Sequence, residues 1–533
     1  MKKVLIIAVL VVACILVYLF FFNKQVSKGD GSDNKELVIG MNLSSVSYWN
    51  RELPFVDIFK SCSPWVTQNA VNVEGGKNAW HTNVLASIPL DKDGYPLSLP
   101  VPVSGTEAPQ TVATIMCLAM EGRYPAGKYV CLYDGTGDIN FALDAKIVKK
   151  DPGRIELEVK PTNSGIFMKI VRSDSNDHVR NIRVMMPGFE TSPADKPFNP
   201  LFIERLKGFR VIRFMDWQRT NDSIVERWAE RTTPATYTQA DKGGVAVEYM
   251  VQLCNTINAD PWFCIPHKAD ADYVARFAAL VRDTLAPERK VYIEYSNEVW
   301  NGMFGQYQWV QDNGKKSLSH PKKYADLAVQ AFTVWTNQFG EKKGRIVRVM
   351  SGQQVRPSLL GDIISYAGPE SMDAIATTAY FGISQEGYRQ LKTLGERAAA
   401  GDVISSVYDD IRDHLTTSIP KHAALAAKYD IPYIAYEGGP SICPVPLGVS
   451  PTYQKALWDA QSVPEIYLAY REFLTGVRSL DMKLFMAFNF AGPQKSKSGS
   501  WGHLEYLDQP IEEAPKFRAL IDEMNPRAAG GKK

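Results

Sequence analysis

No tract of five or more lysines or arginines with interleaved aromatics occurs in the 533 residues, and the formal charge is only +2. A chain so balanced carries no field suited to a phosphate backbone, so nucleic acid is not an expected partner. Zinc spacing and CxxC pairs are missing. HExxH, EF-hand, P-loop and serine-elbow motifs are missing too, so neither metal nor cofactor is expected. No GxGxxG follows an apolar strand, which counts against an open doubly wound sheet that binds a dinucleotide. Internal repeats are absent. Beyond Cys14, the six cysteines at positions 62, 117, 131, 254, 264 and 443 are too scattered for a disulfide scaffold. Cys254 and Cys264, in apolar surroundings, are expected to be buried thiols.

What is present is an ordinary globular composition, 45% apolar and 22% charged. The length exceeds one compact core and predicts two structural units. Lys2 and Lys3 precede an unbroken apolar run from Val4 to Phe22. That run is long enough to cross a hydrocarbon core of about 30 Å, and the charge at its front places the body outside the cytoplasm. An uncleaved membrane anchor over 1–23 is the first expectation. Val11-Val12-Ala13-Cys14 also resembles a lipobox, so a lipoprotein through Cys14 and a cleaved signal are the alternatives. All three imply export. The polar stretch 24–36 reads as a linker.

Leu37 to Leu43 reads as a buried strand, and Pro54 to Lys60 as the start of a helix, together 37–63. From 64 to 190 the chain turns to short segments of period-two alternation, such as Arg154-Ile155-Glu156-Leu157-Glu158-Val159, broken by turns such as Asp151-Pro152-Gly153. These predict an antiparallel sandwich. From 191 to 525 apolar strands alternate with amphipathic helices, the rhythm of a parallel sheet. Strands are expected at Phe209–Met215, Pro261–Ile265, Val291–Tyr295, Ile346–Met350, Ala374–Ala379, Tyr433–Tyr436 and Leu484–Ala487. One long helix is expected over Ile404–Tyr429, its His414 and His422 on a solvated face. With Val38–Leu43 the strands number eight and close a barrel. The expected fold is therefore α/β: a (β/α)8 TIM barrel with a β-sandwich inserted after its first strand, behind an N-terminal anchor, and ending in a flexible tail at 526–533.

In such barrels chemistry collects at the C-terminal strand ends. Those ends carry Arg213, Asp216 and Trp217 (strand two), His267 (three), Glu298 and Trp300 (four), Tyr380 (six) and Glu437 (seven). Two inward carboxyls across a barrel mouth can divide the labour of breaking a glycosidic bond with retention: one attacks carbon, the other delivers a proton. A carboxylate beside Arg213 and Tyr380 is held ionised, while one facing that charge in apolar surroundings is raised and acts as acid. Glu294 competes with Glu298, because an even separation puts both on one face of the strand. Asp373 sits at a strand start, the wrong end of the barrel.

The string Tyr295-Ser296-Asn297-Glu298-Val299-Trp300-Asn301 resembles the strand-four motif of the clan A glycoside hydrolases, and this settles the choice for Glu298. The resemblance spans roughly 200–520 plus 37–60. It implies a retaining hydrolase of polysaccharide or oligosaccharide, with Glu298 as acid/base and Glu437 as nucleophile. Arg213 and Tyr380 match the clan's orienting residues, and Asn297 would hold a sugar 2-hydroxyl. His267, Asp216, Trp217 and Trp300 are candidate subsite residues. Two positions depart from the clan: Thr378 stands where many members have His, and Phe488-Asn489-Phe490 where many have Trp. Trp501, in the next loop, is the candidate to replace that Trp. The competing function is a catalytically inactive glycan-binding protein of the cell envelope.

Overall fold

The first barrel strand, β1 (Val38–Asn42), ends in a loop that leads not into a helix but into a pair of sheets. A computed structural model describes residues 35–72, 79–192 and 195–525. The expected anchor or signal segment (1–23), most of the linker (24–36) and the tail (526–533) lie outside the described residues. Among the described residues no helix is long and apolar enough to cross a membrane. Pro54 to Lys60 is not the start of a helix. Phe55 and Asp57 form extended bridges to Phe198 and Met185, and only one 3-10 turn, Ile58–Ser61, follows. The cause is Asp57, whose Oδ1 accepts from both Phe59 N (3.1 Å) and Val184 N (2.7 Å) and so ties the segment to a neighbouring strand.

Eight strands come next: β2 (Val66–Asn69), β3 (Gln110–Met116), β4 (Gly127–Asp134), β5 (Gly137–Leu143), β6 (Ala145–Asp151), β7 (Arg154–Val159), β8 (Ile166–Ser173) and β9 (Arg180–Met185). They make two antiparallel sheets, in the orders β2-β3-β8-β5 and β6-β7-β4-β9. The alternation seen in the sequence is the cause: Ile155, Leu157 and Val159 of β7 are buried while Glu158 faces water. Residues from Leu37 onward form one compact unit, and one apolar cluster is shared by the sheets and the barrel.

The barrel resumes with β10 (Val211–Arg213), β11 (Asp260–Ile265), β12 (Val291–Tyr295), β13 (Ile346–Ser351), β14 (Ala374–Gly382), β15 (Tyr433–Ser441) and β16 (Leu484–Ala487). In space the order is β1-β10-β11-β12-β13-β14-β15-β16, closed, with β16 pairing β1 in parallel. The helices between them start where the sequence supplies caps. Asp270 accepts from Tyr273 N (2.7 Å) at the head of Ala271–Thr284, and Asn199 precedes Pro200 at the head of Pro200–Leu206. The expected helix Ile404–Tyr429 is two, Ala400–Thr416 and Ser418–Tyr429. Pro420 has no N–H to offer the Thr416 carbonyl, so the helix breaks at Thr417. This turns His422 inward: it is 0% exposed, stacked on Tyr433, with Nε2 2.9 Å from the Gln354 carbonyl. The expected solvated His422 is thus a buried one.

A second apolar cluster, containing Val211, Trp262, Val349, Ala376, Ile434 and Met486, fills the barrel. Gly40 belongs at this centre. A Cβ there would stand 2.2 Å from Met486 Sδ and 2.8 Å from the Val211 carbonyl. Gly40→Ala should cost about 1–3 kcal/mol, read as a lowered midpoint in urea unfolding, and a midpoint equal to wild type would show that the barrel centre has room.

Candidate active site

Arg213, the last residue of β10, points into the barrel mouth and is 0% exposed. Its Nη1 donates to Glu437 Oε1 (2.8 Å) and Asn42 Oδ1 (3.3 Å), its Nη2 to Glu294 Oε2 (2.8 Å) and Asn297 Oδ1 (2.8 Å). The guanidinium also lies over the rings of Tyr436 and Trp262, 5.1 and 5.4 Å from their centroids. Four strands are thereby referred to one cation. Glu294 is fully engaged as its counter-charge, accepting also from Trp262 Nε1 (3.1 Å) and Ser351 Oγ (2.5 Å).

Strict alternation along β15 would send Tyr436 and Glu437 to opposite faces. A register shift prevents this: Thr377 pairs with Ala435 but Thr378 with Glu437, so Tyr436 is the extra residue of a bulge. Both side chains therefore reach the site. Tyr436 donates its hydroxyl to Glu298 Oε1 (3.0 Å), and Tyr380 of β14 donates to Glu437 Oε2 (3.0 Å). After β12 the chain makes a similar adjustment, with Ser296 (φ 57°) and Glu298 (φ 40°) in the left-handed region. Such backbone costs roughly 1–3 kcal/mol per residue and persists only when held. The holds are Ser296 N to the Ile265 carbonyl (2.8 Å) and Gln306 Nε2 to the Asn297 carbonyl (2.7 Å). Asn301 completes the setting of Glu298 by donating Nδ2 to Oε2 (2.9 Å).

The two carboxyls differ in what holds them. Burial is the largest influence on both and raises both, Arg213 opposing it at each, while at Glu437 the Glu298 charge adds to the rise. Two such neighbours release their protons as a pair, so one proton is retained near neutrality. The donor sets decide where it rests. Glu437 accepts from a cation and a phenol, Arg213 and Tyr380, whereas Glu298 accepts only from the neutral Tyr436 and Asn301. The negative charge belongs on Glu437 and the proton on Glu298.

The remaining expected residues divide. Asn297 joins the set, bonded to Arg213 and, through Nδ2, to Asn221 Oδ1 (3.0 Å). Trp501 joins it through its ring, edge-on to Tyr380 (5.4 Å) and Phe488 (5.9 Å). Thr378 donates instead to Gln354 Oε1 (3.1 Å), whose Nε2 supports the Tyr380 carbonyl (3.3 Å). Asp216 is half-buried within the field of Arg213 and Arg219 and is raised to about 6 by burial. His267 is buried beside Trp309, lowered to about 4 by burial, and hydrogen-bonds neither carboxyl. Trp300 is half-buried against the core, and its Nε1 has no hydrogen-bond partner among the described residues. Trp217 is a correction: it is 0% exposed, packed among Phe55, Phe202 and Phe214, and belongs to the core rather than to a subsite. Asn42, Tyr436, Asn301 and Asn221 were not marked from the sequence. Strand parity could have found Asn42 and also Tyr436, which keeps step with the barrel-filling Ile434; nothing local announces the bulge that brings Glu437 to the same side.

No protein-family model matches the chain, and no curated protein sequence does. Among solved structures, a GH51 arabinofuranosidase from Xanthomonas axonopodis pv. citri aligns at 14% identity over 58% of this chain, with a TM-score of 0.37. The alignment spans 64% of that protein's length, less than two thirds. A fungal beta-1,4-galactanase matches at 11% identity over 61% of this chain and 92% of its own, TM-score 0.33. Xylanase B from Clostridium stercorarium F9 matches at 11% identity over 63% of this chain and 94% of its own, TM-score 0.33.

Removing the cation should strand two buried carboxyls. Arg213→Met is expected to lower stability by about 3–5 kcal/mol in denaturant unfolding. The deficit also has a pH sign. Without Arg213 the folded chain holds the pair's proton more tightly than the unfolded chain does, so the native state binds more protons and stability falls as pH rises. The gap to wild type should widen with rising pH, and a gap independent of pH would refute this electrostatic account.

Proposed function

We propose that the protein is a retaining glycoside hydrolase acting on a polysaccharide or oligosaccharide, with Glu437 as nucleophile and Glu298 as acid/base. The observation that carries the reading is the division of donors: one carboxyl bound by Arg213 and Tyr380, the other by Tyr436 and Asn301. A structural carboxylate pair has no reason to be so divided. The pair is also close-set, because Tyr436, the neighbour of Glu437, reaches Glu298, while Asn297, the neighbour of Glu298, shares Arg213 with Glu437. Retention requires a separation of about 5–5.5 Å; inversion needs room for a water between the groups. The motif resemblance to the clan A hydrolases points the same way.

In the first step a Glu437 oxygen attacks the anomeric carbon as Glu298 gives its proton to the departing glycosidic oxygen. A glycosyl ester on Glu437 and a free alcohol result. Asn297, held by Arg213 and Asn221, is placed to bind a sugar hydroxyl during this step. In the second step Glu298, now a carboxylate, takes a proton from water, the water oxygen attacks the same carbon, and Glu437 leaves. His267, neutral because burial lowers it to about 4, takes no part in proton transfer and serves as a subsite wall.

The protein is further proposed to be exported and held at the membrane by residues 1–23, with lipidation at Cys14 as the rival means of attachment. The two antiparallel sheets are proposed to pair as a sandwich that braces the barrel mouth. In support, Arg51 after β1 pairs with Glu121 (2.7 Å), and Leu118 N bonds the Tyr48 carbonyl (2.9 Å).

On a polysaccharide found by screening, Glu437→Gln should abolish turnover. Glu298→Gln should lower it by about a hundredfold or more, yet spare the first step on an aryl glycoside whose leaving group needs no proton. Proton NMR of the first product should show the anomeric configuration kept; inversion, or undiminished turnover by Glu437→Gln, would end the assignment. Wild-type activity should fall as pH rises and Glu298 gives up its proton. Full-length protein should sediment with membranes, and Cys14→Ser should remain there if the apolar run is the anchor.

A further inference from the structure

Two cavities flank the carboxyl pair at the C-terminal end of the barrel. One of about 380 Å³ opens between the loops that follow β1 and β16, and the other, of about 520 Å³, between the loops that follow β1 and β10. Both are lined by Ser47, Trp49 and Arg219, so they form one groove passing over these three residues. The groove meets the site twice. Trp501 lines the first cavity and touches Tyr380, which holds Glu437; Asn221 lines the second and holds Asn297.

Trp49 is 51% exposed, with its indole edge-on to Tyr48 (4.2 Å). An open tryptophan face in a groove suits the apolar face of a sugar ring. Arg219 beside it is unusual in two ways. Its backbone lies in the left-handed region (φ 50°), a conformation costly for a long side chain. Its guanidinium is half-buried yet makes no ion pair among the described residues. Among the described residues only Nη2 is bound, to the carbonyls of Val46 (3.0 Å) and Ala240 (3.3 Å). Asp216 and Asp241 act on it at a distance, burial outweighs them, and its pKa is lowered.

The charges of the first cavity have one sign. Its charged lining residues are Arg51 and Arg219, and Arg51 is already matched by Glu121 (2.7 Å) and Glu505 (3.8 Å). Acids line only the second cavity, and there Asp222 Oδ1 caps Gly305 N (2.6 Å) while Asp241 Oδ1 accepts from Lys242 N (2.7 Å). What the first cavity lacks is an anion for Arg219.

We propose that Trp49 and Arg219 form a subsite for an acidic sugar, Trp49 stacking on the ring and Arg219 taking its carboxylate, so that the substrate is a uronic-acid-containing glycan. This rests on the glycosidase reading of the carboxyl pair and adds the substrate class. Arg219, whose Nε and Nη1 carry no hydrogen bond among the described residues, offers the planar fork that a carboxylate matches and a neutral hydroxyl does not.

The test measures binding, so it stands whether or not the pair is catalytic. The full chain carrying Glu437→Gln is titrated calorimetrically with oligomers of mannuronate, galacturonate and glucuronate, and with the same oligomers after reduction of their carboxyls to alcohols. At least one uronate series should bind about tenfold or more tighter than its reduced counterpart, an advantage that shrinks with added salt. Arg219→Asn, a residue that tolerates the left-handed backbone, should erase that advantage. Trp49→Ala should weaken both forms alike. The proposal is overturned if no uronate outbinds its reduced form, a comparison that needs no variant at Arg219, or if Arg219→Asn keeps the preference. Hydrolysis of neutral glycans with no such preference would sink this subsite alone and leave the catalytic assignment standing.

Discussion

A single cation, the Arg213 guanidinium, governs the barrel mouth. A charge with no exposed surface is tolerated only if its hydrogen bonds are made and its field is matched. Asn42, Glu294, Asn297 and Glu437 meet that demand from β1, β12, the turn after β12, and β15. Because each contact also fixes a strand end, the geometry of the site and the closure of the barrel are one problem. The same cation separates the two carboxyls chemically, since it touches Glu437 and only influences Glu298 from a distance.

The backbone departs from regularity where this arrangement requires it. The bulge at Tyr436 and the left-handed residues Ser296 and Glu298 occur on the two elements that carry the carboxyls. Each departure re-aims a side chain that regular geometry would send elsewhere. The bulge brings two consecutive residues of β15 to one side, so that Tyr436 serves Glu298 while Glu437 serves itself of Arg213 and Tyr380. Local strain is here a consequence of aiming polar groups at one point.

The walls around that point are held from behind. Lys516, fully buried, donates to Gln461 Oε1 and the Ser500 carbonyl (both 2.9 Å), which fastens the loop carrying Trp501. His503 fastens the same loop to Asn489 and Tyr470. On the opposite wall the loop with Trp49 is tied to the antiparallel sheets through Tyr48 and Arg51. Buried polar groups thus recur wherever a long loop must keep one shape, a task that apolar packing alone does not perform well in a loop rich in serine and glycine.

Periodicity and strand-end chemistry were legible in the residues themselves. Short, largely apolar segments such as Ala374–Gly382 suit strands buried on both faces, and their alternation with amphipathic helices is the rhythm of a parallel barrel. Glu298, Glu437, Arg213 and Tyr380 could be marked because position at a strand end is a local property. What tertiary structure alone decided is everything that depends on a neighbour distant in sequence. Trp217 sits at a strand end like the others, yet Phe55 and Phe202 close over it. His422 lies on a helix that reads as polar, yet Pro420 breaks that helix and its second half turns inward. Glu437 is out of step with the inward-facing Ile434 until a bulge reverses its parity, and Arg219 is one arginine among many until Trp49, about a third of the chain away, stands beside it in the groove. Local pattern determines which elements form; which side chains meet is set by register, bulges and loop closure, whose energies are summed over contacts that no window of sequence contains.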